Sequence, residues 1–318
     1  MRNVFNWSRF RAPLSNYLCF TANTAWSTIK LTKTGSPTSV TLETSTDLNT
    51  WTTYTIWDTI TLSNVWDSVY WRNTSENDTL FSTGTSNYYK FVMTWSISWS
   101  WDINYLLNKN STTTVSSYCY YYMFNGCTSL VTAPSLPATT LANYCYSNMF
   151  RWCTWLTTAP VLPGTTLTNN CYRSMFYWCT SLVTAPSLPA TTLADSCYQA
   201  MFNWCTSLTT PPTLSATTAA ISCYFQMFYW CTNLEQLPAL PATTLANSCY
   251  YGMFQKCSKI KISGTQVWEY INEYRIPTIW TWTGGINPMS SMFSNTWWTF
   301  TWTPSINTTY YTSNTIVS

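Results

Sequence analysis

The chain of 318 residues contains no histidine. With histidine go the side chain that titrates near neutral pH, the usual orienter of a serine or cysteine nucleophile, and the commonest zinc ligand. Most hydrolase mechanisms go with it. Charge is almost as scarce: 8% of the residues are Asp, Glu, Lys or Arg, where a soluble domain has about 25%. Thr, Ser and Asn fill the polar quota, which predicts a neutral, hydroxyl-rich surface. The formal net charge of +3 is spread thinly. The longest basic cluster, Lys256, Lys259 and Lys261, is too short to track phosphates, so no nucleic-acid partner is expected. Apolar runs are only a few residues long, far below the roughly 20 that cross a bilayer, so no membrane span is expected. Residues 1–22 carry no apolar core of an export signal, so no signal peptide is visible in this chain.

Glycine is the last deficit. There are 8 Gly and 20 Trp, whereas glycine usually makes up about 7% of a chain. Tryptophan also stands in contexts that ordinarily want glycine: Ile56-Trp-Asp, Val65-Trp-Asp, Thr94-Trp-Ser, Ser98-Trp-Ser-Trp-Asp and Asn295-Thr-Trp-Trp-Thr. Two readings stand side by side. One is that the gene uses a code in which UGA means glycine and has been translated as though it meant tryptophan. The other is a true aromatic ladder, suited to stacking on sugar rings or bases. Trp51, inside the strand-like Asn49-Thr-Trp-Thr-Thr-Tyr, reads as genuine. The Trp-Asp pairs lack the 40–45 residue period of a propeller.

What is abundant is repetition. Cys119, Cys145, Cys171, Cys197, Cys223 and Cys249 are spaced 26 residues apart, and Cys127, Cys153, Cys179, Cys205, Cys231 and Cys257 form a second series with the same period. Twelve of the 13 cysteines belong to these two ladders. The unit reads C-Y-x-x-M-F-x-x-C-T-x-L-x-x-x-P-x-L-P-A-T-T-L-A-x-x. Leu141, Cys145 and Met149 recur at i, i+4 and i+8, which predicts one face of a short helix, with Thr139 or Thr140 as N-cap and Thr192 to Asp195 as a weak capping box. Cys127-Thr-Ser-Leu-Val-Thr-Ala-Pro alternates and ends on proline, so it reads as a short strand. Stacked copies would align Leu130, Leu156, Leu182, Leu208 and Leu234 into one core. The predicted fold class is therefore an α/β repeat, a leucine-rich-repeat-type solenoid of six 26-residue units preceded by a small antiparallel β domain.

The seven-residue gap between the ladders is neither a zinc nor a redox spacing, so no metal and no other cofactor is expected. Along a helix the two sulfurs of one unit would also sit too far apart to bond. The cysteines read as small buried hydrophobes, with bridges from rung to rung as the alternative in an oxidising compartment, and Cys19 without a series. Gly126, Trp152, Trp178, Trp204, Trp230 and Lys256 share the position before the second cysteine, where a left-handed residue is expected.

The remainder divides as follows: 1–17 an N-terminal extension, 18–100 the β domain, 101–118 a linker and cap, 119–263 the solenoid, 264–318 a C-terminal cap and tail. In the β domain, alternation marks Ser27 to Lys33, Ser39 to Thr44, Thr52 to Ile56, Thr59 to Leu62 and Tyr88 to Met93. Val267 to Tyr274 reads as a short helix in the cap.

Around Met123-Phe-Asn-Gly-Cys-Thr-Ser-Leu-Val-Thr-Ala-Pro-Ser-Leu-Pro-Ala-Thr-Thr-Leu-Ala, the chain closely resembles the BspA-like leucine-rich-repeat proteins of bacterial surfaces, over about Ser116 to Ser263. The strand Thr59 to Val65, running into Trp66-Asp67 where a Gly-Asp turn is ordinary, is similar to modules that precede such repeats. The resemblance implies an extracellular or cell-surface location and adhesion to protein or glycan on a host or neighbouring cell. It transfers no catalytic residue.

The residues also suggest where binding would occur, because the pairs Tyr121-Tyr122, Ser147-Asn148, Arg173-Ser174, Gln199-Ala200, Phe225-Gln226 and Tyr251-Gly252 change from unit to unit. The candidate binding face is Tyr121, Tyr122, Arg173, Gln199, Phe225 and Tyr251. The expected function is non-catalytic binding; the alternative is a phage virion component such as a tail fibre. A glycosidase with paired carboxylates is the remaining class, and the 11 acidic residues are scattered, with only Asp195 and Glu235 inside the repeats.

Overall fold

Alternation of apolar and polar residues in the first hundred positions places one face of each strand inward. The computed structural model describes residues 17–74, 82–100, 103–106, 113–263, 272–273, 288–296 and 310–311. Nine strands come first: β1 (Leu18–Ala22), β2 (Ser27–Thr34), β3 (Leu42–Ser45), β4 (Thr52–Thr53), β5 (Ile60–Leu62), β6 (Ser68–Asn73), β7 (Ser82–Gly84), β8 (Asn87–Thr94) and β9 (Ile97–Ser100). They form a five-stranded antiparallel sheet, β4-β3-β6-β1-β9, and a four-stranded one, β5-β2-β8-β7. Trp71 sits fully buried between them, with the Phe91 and Phe20 rings edge-on at 5.4 and 6.2 Å and Tyr54 at 4.5 Å. The Tyr54 hydroxyl accepts from Leu31 N at 2.8 Å and donates to Asp58 O at 2.6 Å. That bond ties the loop before β5 to the core.

From Tyr118 onward the α/β leucine-rich-repeat-type solenoid expected from the sequence is not what forms. Among the described residues there is no α-helix, and one 3₁₀ turn, Ile103–Leu106, is the only helical element. In place of a helix, each 26-residue copy carries a run of tight turns with a residue of positive φ every fourth position: Tyr118, Tyr122 and Gly126, then Tyr144, Asn148 and Trp152, and so on to Ser248, Gly252 and Lys256. In each period of four two residues belong to the core, and the other two lie toward the surface, some of them, such as Ser147, Asn148 and Ser174, still covered. Cys119-Tyr120 and Met123-Phe124 are buried, while Gly126 is exposed. An i, i+4, i+8 spacing fits this geometry as well as a helix, which is why it misled. The N-cap and capping-box roles of Thr139, Thr140, Thr192 and Asp195 fall with the helix.

Backbone accounting explains how such a run survives without regular structure, since buried amides and carbonyls must be paired. Alternate amides bond within the rung, as in Tyr121 N to Tyr118 O at 2.9 Å and Met123 N to Tyr120 O at 3.2 Å. The intervening ones bond to the following rung: Tyr120 N to Cys145 O, Tyr122 N to Ser147 O, Phe124 N to Met149 O and Gly126 N to Arg151 O, at 2.7–3.3 Å. The short strand expected after the second cysteine shrinks to single parallel bridges, such as Thr132 with Thr158 and Thr158 with Thr184.

Two aromatic columns fill the interior. Phe91, Phe124, Phe150, Phe176, Phe202, Phe228, Phe254 and Phe293 stack nearly parallel at 5.3–5.7 Å. Tyr120, Tyr146, Tyr172, Tyr198, Tyr224 and Tyr250 stack beside them at 5.5–5.9 Å. The tyrosines are thus packing elements rather than a contact stripe. Leu130, Leu156, Leu182, Leu208 and Leu234 are fully buried.

The β sheets close the near end of this stack. Phe91 of β8 begins the phenylalanine column, its amide donates to Met123 O at 2.8 Å, and Ile97 of β9 bonds both Ser129 O and Val131 N at 3.1 Å. One core runs through both parts. At the far end Pro288 to Thr296 supplies a seventh, degenerate rung, accepting from Tyr250 N, Gly252 N, Phe254 N and Lys256 N at 2.8–2.9 Å. Most of the helix expected over Val267 to Tyr274 lies outside the described residues. The two described positions form β11 (Asn272–Glu273), which with β10 (Ile262–Ser263) flanks β12 (Tyr310–Tyr311).

Candidate functional site

Outward positions carry whatever distinguishes one rung from the next, because the inward ones are committed to the columns. At the junction of the β sheets with the first rungs the outward residues are aromatic and basic. Tyr88 of β8 meets Tyr122 and Tyr121 at 5.3 and 6.0 Å, Tyr121 and Tyr122 lie edge-on at 4.4 Å, and Tyr118 stacks on Tyr144 at 4.8 Å. Beside this cluster opens a cavity of about 270 Å³ lined by Thr85, Tyr121, Tyr122, Tyr144, Ser147, Asn148, Arg151, Arg173 and Ser174.

Its walls are held from below. Ser147 Oγ donates to Arg173 O at 3.3 Å, Asn148 Nδ2 donates to Ser147 Oγ at 2.9 Å, and Arg151 Nη1 reaches Asn148 Oδ1 at 3.4 Å. The Arg151 guanidinium lies over the Tyr177 ring at 4.5 Å, a cation–π contact that fixes its plane. Its Nε is buried without a hydrogen-bond partner. Arg173 Nη1 meets only the neutral Asn170 Oδ1, at 3.5 Å. Among the described residues no carboxylate lines the cavity, and the ion pairs are Arg72–Glu43 and Lys259–Glu235, so none of the described acids neutralises either arginine. Burial pushes the Tyr121 hydroxyl well above its ordinary pKa, helped by Tyr122 and Tyr88 and opposed by Arg173. It therefore stays a protonated donor.

The candidate face splits in two. Tyr121, Tyr122 and Arg173 converge on the cavity. Gln199, Phe225 and Tyr251 continue the column of Tyr121, Ser147 and Arg173 along the stack, with Phe225 and Tyr251 face to face at 4.9 Å, and do not line it. Sequence reasoning missed Tyr144 and Arg151; the signal was available, since they occupy outward positions of the same period of four.

The cysteine ladders are interior. All 12 are buried and unpaired, as is Cys19. In the second ladder the thiols of Cys127, Cys153, Cys179, Cys205, Cys231 and Cys257 donate at 2.9–3.1 Å to the carbonyls of Phe91, Phe124, Phe150, Phe176, Phe202 and Phe228, one rung back. Burial raises their pKa, that of Cys127 to about 12. They are hydrogen-bond donors, not nucleophiles. Among the described residues no group of three or more His, Cys, Asp or Glu is placed to hold a metal ion, and no helix is long and apolar enough to cross a membrane.

The two acids of the repeats serve the scaffold. Asp195 Oδ1 accepts from Ile221 N at 3.1 Å, extending a side-chain ladder in which Asn143 Oδ1 accepts from Asn169 N and Asn169 Oδ1 from Asp195 N. Glu235 pairs with Lys259 at 2.8 Å on the surface.

A second outward column is Trp152, Trp178, Trp204 and Trp230, stacked at 4.4–4.8 Å. All four have positive φ, between 61° and 67°, as Gly126 does in the first rung at 72°. A non-glycine residue there costs roughly 1 kcal/mol or more, a cost the stacking of neighbouring rings, about 0.5–1.5 kcal/mol per pair, only offsets. The cavity contains none of these rings. Compared with family models, with curated proteins and with solved structures, the chain matches none.

Proposed function

We propose that this chain is a non-catalytic binding protein, displayed at or outside a cell surface, which recognises protein or glycan on a host or neighbouring cell through the outward face of its turn stack. The observation that carries the reading is the division of labour in the period of four. Inward positions repeat Cys-Tyr and Met-Phe from rung to rung, while outward positions change, and the aromatic and basic ones gather around a cavity with no neutralising acid among the described residues. A stack of this kind offers a long surface whose side chains vary independently of the core. The resemblance of the repeat residues to bacterial surface proteins of the BspA-like type supports display and adhesion.

The experiment is saturation binding of the fluorescently labelled full chain to intact bacterial and host cells, with unlabelled chain as competitor. Saturable, competed binding that disappears after the target cells are stripped of surface protein or polysaccharide supports the reading. Binding that never saturates on any cell type overturns it.

A further inference from the structure

The chemistry of the cavity narrows the ligand beyond protein or glycan. Its volume is below the roughly 300–1,000 Å³ of sites for drug-sized molecules, which suits one sugar ring. The polar residues Thr85, Asn148 and Ser174 line it alongside tyrosines, the mixture that a polyhydroxylated ring requires. Among the described residues two guanidinium groups stand there without a carboxylate, and one of them, Arg151, keeps a buried Nε with no partner. A peptide carboxylate would use the arginines and leave the polar and aromatic remainder of the lining idle. We propose that this cavity is a subsite for a single anionic sugar residue, its carboxylate or sulfate held by Arg151 and Arg173 and its ring against Tyr122 and Tyr144.

This deepens the binding reading and rests on it. The test is titration of the full chain by calorimetry with D-glucuronic acid, galactose 6-sulfate and galactose. At least one acidic sugar is expected to saturate the site, with galactose at least about tenfold weaker, and Arg173→Gln is expected to remove that preference by a similar factor while leaving the melting temperature unchanged. The acidic sugar that binds identifies carboxylate or sulfate as the charge. Val161→Ala, at a 74% exposed position that belongs neither to the cavity lining nor to the candidate face, should change nothing. Equal affinity for galactose, no saturation by either acid, or an Arg173→Gln variant that binds as before overturns the subsite. Cell binding that persists in that event leaves the broader reading standing; acidic-sugar binding without cell binding does the reverse.

A second inference rests on backbone geometry alone. Of the 12 tryptophans among the described residues, eight have positive φ: Trp26, Trp57, Trp66, Trp95, Trp152, Trp178, Trp204 and Trp230. Among the described residues of the β sheets and their turns, the only other non-glycine residue in this region of φ is Leu48. Trp26, Trp57, Trp66 and Trp95 are 55–73% exposed, so their rings are not held there by packing. Trp71 and Trp51, by contrast, have ordinary backbone angles; the first is fully buried, and the second takes the Arg72 guanidinium over its ring at 4.1 Å. An L-residue is strained at positive φ and glycine is not; in the turn stack Tyr, Ser, Asn and Lys residues share that φ, so for Trp152, Trp178, Trp204 and Trp230 it is Gly126, which holds their position in the first rung, that points to glycine. We infer that glycine occupies those eight positions in the chain as its own cell makes it, the cell reading as glycine a UGA codon rendered here as tryptophan.

Peptide mass spectrometry of the protein isolated from its source cells decides this. Residues 66 and 178 are expected to weigh as glycine and residue 71 as tryptophan. Tryptophan at 66 or 178 overturns the inference, and so does glycine at 71, where the core requires an indole.

Discussion

The thiol of Cys179 donates to the carbonyl oxygen of Phe150, one rung back, at 3.1 Å, and the same oxygen accepts the backbone amide of Cys153 at 3.1 Å. One carbonyl thus receives a donor from its own rung and another from the next. The cysteine is the inter-rung latch, and its small size fits beside the aromatic columns.

Cys179→Ala removes that latch and leaves a small cavity. The expected loss is about 1–2 kcal/mol, read as a lower urea midpoint with an unchanged slope. An unchanged midpoint would mean that the bond contributes nothing.

The buried thiols and tyrosines predict sensitivity to alkali. Their folded pKa values lie above the unfolded ones: burial raises Cys127 and Cys171 from 9.0 to about 12. Stability from a group of this kind is complete below the unfolded value and is lost as pH rises from there through the folded value. Unfolding midpoints should be level up to about pH 9 and fall beyond it, and a thiol reagent should label the cysteines only as the chain unfolds. Rapid labelling of the native chain at neutral pH would contradict the burial of both ladders.

Acid acts elsewhere. Asp47 Oδ1 accepts from Thr50 N at 2.7 Å, Asn49 N at 2.8 Å and Ser45 Oγ at 2.9 Å, closing the turn from β3 to β4. The Thr50 and Asn49 amides and the Ser45 hydroxyl lower its pKa to about 2. A depressed carboxyl stabilises above its unfolded pKa of about 4 and ceases to as pH falls through the folded one. The turn should loosen between about pH 4 and 2, visible as faster amide exchange at Asn49 and Thr50 relative to β6. Asp47→Ala should show that rate already at neutral pH.

Trp66→Gly is expected to stabilise the recombinant chain by about 0.5–1 kcal/mol, because relief of the left-handed backbone exceeds the entropy glycine adds to the unfolded state. Little packing is lost, since Trp66 is 73% exposed. Trp71→Gly should prevent folding. Thermal melts of the two variants check both signs.

The sequence made the repeat and its period legible because every rung reuses the same inward residues. Strands such as β2 and β8 could be read from alternation, while the short pairings of β1 and β9 depend on distant partners. The helix failed because Leu141, Cys145 and Met149 satisfy two periodicities, 3.6 and 4, and only the adjacent buried pairs Cys145-Tyr146 and Met149-Phe150 distinguish them. The Pro288 to Thr296 rung escaped because an insertion places Phe293 39 residues after Phe254. Of the cavity, Tyr121, Tyr122 and Arg173 were visible as variable outward positions; that they meet Tyr144 and Arg151 depends on how rungs stack.

Charge reversal at Arg173 tests the binding account most directly. Arg173→Glu places an acid in a cavity that has none among the described residues, on an outward position whose change leaves both aromatic columns intact. The labelled full-length variant should lose saturable cell binding at least about tenfold while melting like the parent. Undiminished binding to the same cells would contradict the assignment of this face as the recognition surface.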